Sequence, residues 1–337
     1  MARAAAAAPE PIRRPPTVAQ TGGGRLAFSA PYGPFAGRRW WKNGGKLLTL
    51  RVKAYLTAMS WFEYPFFVNA LIGVAIISVA AALVGTYIVT RRLVALSGGV
   101  THACFGGLGL GCWLGWNPLA MAALFAVGGS LGVQWLSESR RVRSDSAIAV
   151  VWAVGMALGV LFVFLTPGYV PELNAFLFGS ILNITRADLW LFAAYTAVLV
   201  AFFAWRYREI VATAFDPDFA RVAGLPVKMV TTVMTVLTAL CIVLTIRLVG
   251  IMLLMSMISL PQLTAEGWSR RFGAIMCGAA GVSLGCCLAG LGLAMVVDVP
   301  CSALIVMIMA AVFGLSRAAV AVVRAVRRRG KGKGGVR

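Results

Sequence analysis

Beyond residue 65 the chain is a succession of apolar runs separated by short polar breaks. The runs fall at 65–90, 93–114, 118–136, 146–166, 188–205, 228–249, 250–266, 272–296 and 301–323. Each approaches the roughly 20 residues an α-helix needs to cross the hydrocarbon core of a bilayer. The pattern predicts an all-α fold, a polytopic membrane helix bundle of about eight to nine transmembrane helices. The stretch 173–184 is too short to cross and reads as re-entrant or interfacial. Glycines recur inside the runs, at Gly106, Gly107, Gly109 and Gly111, and again at Gly278, Gly281, Gly285, Gly290 and Gly292. Small residues let membrane helices approach closely, so the bundle is expected to be tightly packed.

Composition agrees with this picture and adds orientation. The chain of 337 residues is 60% hydrophobic and 12% charged, against roughly 25% charged residues in soluble domains. Its net charge of +20 could suggest nucleic acid, but the basic residues lie at the two ends and in short clusters between apolar runs. In a membrane protein that placement reports topology. It puts Arg91-Arg92, Arg140–Arg143, Arg206–Lys228, Arg270-Arg271 and the C-terminal tail 326–337 on the cytoplasmic side. Residues 1–58, rich in Pro, Gly, Ala and Arg, cannot bury enough apolar area to order and are expected to be disordered. Alternation of the clusters places them on the wrong side, so Met59 is a candidate translation start and 59–325 the membrane domain. The seven cysteines lack the paired spacing of a zinc or disulfide framework and read as small core residues.

The longest polar interruption, 212–226, has the chemistry of a short helix lying along the membrane surface. Asp216 suits its N-cap, Pro217 its first position, and Gly224 and Pro226 its stop. Phe215 and Phe219, four apart, would share a face and form a docking surface for a cytoplasmic partner. A plain capped loop helix reads the same residues without a partner.

The segment Phe215-Asp-Pro-Asp-Phe-Ala-Arg-Val-Ala-Gly-Leu-Pro226 resembles the coupling segment of the ABC importer permeases that take up zinc, manganese or iron. Further matching pieces follow the family's order. They are Tyr87–Val94, Ser97-Gly-Gly-Val-Thr-His-Ala103, Phe176–Leu182, Arg247–Leu254, Leu260–Ala265 and Val297-Asp-Val-Pro300. The resemblance covers about 60–325 and implies a permease fold in the plasma (inner) membrane. It also implies several partners: cytoplasmic ABC ATPase subunits docked at Phe215, Asp216, Pro217, Phe219, Gly224 and Pro226, an extracytoplasmic metal-binding protein, and a second, identical permease subunit. The chain itself would hold no cofactor, and the divalent metal ion would be its cargo.

His102 is the only histidine and falls near the middle of its run. An ionisable side chain at membrane depth is costly and points to a pathway role, and imidazole suits zinc and iron; a neutral imidazole bonded inside the bundle is the bland alternative. Family members often carry Asp four residues earlier, where this chain has Gly98. Asp298, at the outer mouth, could attract cations or brace a helix end, and Glu172 could meet a delivery protein. The Met252, Met255 and Met257 group reads as core filling. Pro261-Gln262 is expected to break its helix and free carbonyls toward a cavity. No phosphate loop, catalytic triad or zinc-protease pattern is present in the sequence, so ATP hydrolysis is expected on another chain. Two other functions remain open: a permease for an iron chelate or corrinoid, and a stand-alone channel or secondary carrier.

Overall fold

A computed structural model describes residues 65–138, 142–167, 179, 181, 184–297 and 299–332. They form α1 (Pro65–Thr90), α2 (Val94–Leu114), α3 (Pro118–Glu138), α4 (Ser144–Leu165), α5 (Arg186–Phe215), α6 (Pro217–Val222), α7 (Val227–Glu266), α8 (Phe272–Val297) and α9 (Cys301–Gly332). All except α6 are long and apolar enough to cross a membrane. The described residues are thus a multi-pass, all-α membrane bundle.

One element, α7, occupies the place of two expected runs, 228–249 and 250–266. A straight helix of its 40 residues would measure about 60 Å, twice the hydrocarbon core. Gly250 interrupts it with φ 79° and ψ 171°, a backbone conformation open mainly to glycine. Contacts on its two sides show that the chain turns back there. Before Gly250, Thr231 accepts a hydrogen bond from Arg91 at the end of α1 (3.2 Å). Sixteen residues later, on the same leg, Arg247 pairs with Asp188 at the start of α5 (3.1 Å). After Gly250, Gln262 reaches Ala81 of α1 (2.9 Å), and Trp268 donates to Ser316 of α9 (2.9 Å). Phe272 then meets Phe215, at the opposite end of α5 from Asp188. The two runs are therefore two antiparallel legs, as the hydropathy pattern indicates.

Pro261 does not break the second leg, contrary to expectation. Proline has no N–H for the carbonyl four residues back, here that of Met257. The fully buried side chain of Gln262 supplies the missing donor, with Nε2 3.0 Å from the Met257 carbonyl and 2.9 Å from that of Ala81. The helix continues and the freed carbonyl is satisfied within the protein instead of lining a cavity.

Glycine packing is concentrated in α2 and α4. A Cβ on Gly155 would lie 2.6 Å from Cα of Ala103, and one on Gly106 would lie 2.9 Å from the carbonyl oxygen of Gly155. Backbone touches backbone there, so no side chain fits. Gly281, Gly285 and Gly292 of α8 face open space; the expectation of close packing fails for them. Among the cysteines, Cys104, Cys241, Cys286 and Cys287 are buried, whereas Cys277 is exposed. The last helix runs on to Gly332, through much of what was expected to be a tail, because Ala and Arg are strong helix formers and no Pro intervenes. Residues 1–58 and Met59 lie outside the described residues, as do Asp298 and Glu172.

Candidate functional site

Two places gather the residues singled out by sequence. The first is the α5–α6 corner. The expected single helix over 212–226 is in fact two pieces: α5 runs through Phe215, and only Pro217–Val222 forms the short helix. The cause is local. A residue before proline is pushed out of the helical region, and Asp216 is extended at φ −146°, ψ 94°. Its carboxylate then caps α6, accepting from the backbone N–H groups of Asp218 (3.1 Å) and Phe219 (2.9 Å). Pro217 occupies the first turn, where no N–H is needed. Gly224, with φ 78°, ends the corner, and Pro226 precedes α7.

Phe215 and Phe219 consequently do not share one helix face, since the break at Asp216 separates them. Both are nonetheless exposed, by 58% and 67%. Phe215 has its ring against Phe272 in an edge-on contact (6.4 Å between centroids), so one side of it is anchored. Val222, at 88%, is a third apolar group on the corner that sequence reasoning did not select. The underside is fixed by Ala220, which is buried. Arg221 and Asp218 pair across the outside at 2.8 Å, a contact that adds little where water surrounds both.

The second place is the α2–α4 interface. His102 projects from α2, half-buried, with its ring stacked on Trp152 of α4 (centroids 4.5 Å apart, planes 15° apart). Its Nδ1 lies 3.0 Å from Sδ of Met156. Trp152 and Met156 are four apart on α4 and so share a face. They reach the imidazole because Gly155 lets the two backbones touch. Met255, on the second leg of α7, comes in from the other side: its Sδ is 3.7 Å from Oγ of Ser97 and 4.0 Å from Oγ1 of Thr101. At Gly98, one turn before His102, a Cβ would lie 3.3 Å from both the Met255 methyl and the Trp152 ring. The space a side chain at 98 would enter is thus filled by a thioether and an indole.

The three methionines read as core filling divide. Met257 is buried and Met252 is exposed, while Met255 faces α2 at Ser97, Gly98 and Thr101. Met156 and Trp152 were missed by sequence reasoning. The available signal was Gly155 and Gly159, spaced to give α4 a smooth face that had to lie against another helix. Among the described residues no group of three or more His, Cys, Asp or Glu side chains comes together. The chemistry on offer at this place is one imidazole nitrogen and two thioether sulfurs.

A family model described as the ABC 3 transport family matches residues 63–319. The chain belongs to that family. The resemblance carried by the α5–α6 corner and the pieces in order with it is therefore borne out. Relatives of the ABC 3 transport family include an uncharacterized membrane protein of Synechocystis, 34% identical over 76% of this chain and 91% of that protein. A probable iron transport system membrane protein of Haemophilus influenzae is 30% identical over 76% and 94% of the two chains. A manganese transport system membrane protein of Halalkalibacterium halodurans is 26% identical over 75% and 87%. In fold the chain is similar to a solved structure described as PsaBC from Streptococcus pneumoniae in complex with Fab. The TM-score is 0.68, with 22% identity over 80% of this chain and 95% of that one.

Proposed function

We propose that the chain is the membrane-spanning permease subunit of an ATP-driven importer for divalent metal ions. In this reading two copies of the chain enclose a path lined partly by α2, and an extracytoplasmic binding protein delivers the ion to the outer mouth. Cytoplasmic ATPase subunits dock on the α5–α6 corner, and their closure around ATP rocks the bundle between outward- and inward-facing states in the plasma (inner) membrane. The names of the relatives, iron and manganese transport system membrane proteins, support a metal ion as cargo. His102 serves the path, and Asp298 the outer mouth.

The observation that carries the reading is the exposure of Phe219 and Val222 on a capped, proline-started turn at the end of the bundle. Large apolar groups left uncovered on an otherwise well-fixed corner between two spans suit a contact with another protein, and a self-sufficient channel has no need of one. Replacing Phe219 with Asp, alone and with Val222→Asp, tests it. The variant chain is expected to insert in the membrane normally and to lose co-purification with the ATPase subunit that the reading requires. Unchanged co-purification and uptake would sink the docking assignment.

A further inference from the structure

Taken as a metal-ion permease, the chain carries at its α2–α4 interface a donor set that selects among cargoes. We propose that His102, Met156 and Met255 form a nitrogen–sulfur station that favours borderline and soft ions such as zinc and iron(II) over manganese(II), magnesium and calcium. The proposal rests on the permease reading and adds the class of ion.

The geometry is specific about which atoms meet. Trp152 covers one face of the His102 ring, so the ring nitrogens at its edge are left to act. One of them, Nδ1, is 3.0 Å from the Met156 sulfur. When that nitrogen carries its proton, it donates to the sulfur. When the proton sits on Nε2, the lone pairs of Nδ1 and of the thioether face one another across 3.0 Å, placed to share one ion. Met255 extends the set one turn along α2, held against Ser97, Thr101 and the bare backbone of Gly98.

Among the described residues, charged oxygen donors are sparse on the three helices that supply the station. Helix α2 contains no Asp or Glu at all. Helix α4 has only Asp145, which is exposed and seven residues before Trp152, about 10 Å along the axis. The second leg of α7 has only Glu266, at its last residue. Carboxylates suit manganese, magnesium and calcium, whereas imidazole and thioether suit zinc, iron and copper. A station with two sulfurs and no carboxylate therefore discriminates by softness. It also binds weakly, because neutral thioethers bring no charge, and an ion in transit must be able to leave.

The test compares the full-length chain in detergent with Met156→Leu and Met255→Leu, singly and together, by equilibrium dialysis against Zn²⁺ and, separately, Mn²⁺. Zinc outranks manganese at most nitrogen and oxygen sites, so the change on substitution and not the ratio itself is the readout. Leu conserves volume, and thermal unfolding of each variant shows whether the bundle is intact. The expected result is a loss of zinc affinity of about fivefold or more in the double variant, with manganese affinity unchanged. Equal losses for both ions, no loss, or no zinc binding by the wild-type chain would overturn the station. If the double variant does not fold, the single Met255→Leu change is decisive on the same terms. A separate arm measures metal accumulation in cells with and without the chain. Accumulation that ignores the chain's presence defeats the permease reading whatever the dialysis gives. Accumulation of manganese that needs the chain and is indifferent to both methionines defeats only the selectivity.

Discussion

The α5–α6 corner and the α2–α4 interface are built on opposite principles. At the corner, a cap, a proline and a glycine fix a single turn of helix so that apolar side chains can be left uncovered. At the interface, glycines remove side chains so that two backbones meet and polar groups can be brought together inside. The first is a local device, complete within about a dozen residues. The second needs three elements far apart in sequence, and it is set by what is absent from α2 and α4 as much as by what is present. Under the docking proposal, changes at the corner should spare the fold and abolish partnership. Changes at the interface should damage the fold in proportion to the backbone contact they disturb.

Four substitutions sharpen that contrast. Gly155→Ile should be the most damaging, because its Cβ alone would press on the Ala103 backbone, which cannot move aside. Overpacking of this kind costs about 1–3 kcal/mol or more, visible as a lowered midpoint of thermal unfolding in detergent; an unchanged midpoint would mean that α2 and α4 do not touch as described. Gln262→Leu should come next, leaving the carbonyls of Met257 and Ala81 without their donor at a cost of about 1–3 kcal/mol. That cost is reduced because the amide oxygen of Gln262, itself without a partner, is removed as well. Gly250→Ala forces a side chain into a region (φ 79°, ψ 171°) that essentially only glycine occupies and should cost about 1 kcal/mol or more, with the pairing of Arg247 and Asp188 the first contact to loosen. Phe219→Asp should change the same midpoint by less than about 0.5 kcal/mol. A large destabilisation there would show that the ring packs against its own chain and is no docking group.

The same contrast explains how far the sequence could be read. The corner was legible because caps, turn residues and the pre-proline rule act on neighbours; even so, the i, i+4 spacing of Phe215 and Phe219 suggested a shared face that Asp216 and Pro217 prevent. The spans were legible because hydropathy is a one-dimensional signal, down to the separate legs at 228–249 and 250–266. His102 stood out as the sole imidazole, but its partners did not, since Met156 and Met255 look like ordinary filling until Gly155 and the turn at Gly250 place them. Pro261 misled because the residue that repairs its missing bond acts through a side chain, and no periodicity reports that.

Gly179 and Gly250 both hold positive φ, and a Cβ on Gly179 would press into the backbone of Val249 and Gly250. The turn between the two legs of α7 is thus wedged by a second bare backbone arriving from 71 residues upstream. Gly179 answers two demands at once, its own dihedral and the backbone it lies against. A change of side chain elsewhere therefore cannot relieve one introduced at Gly179, because the atoms it would meet are the backbone of Val249 and Gly250.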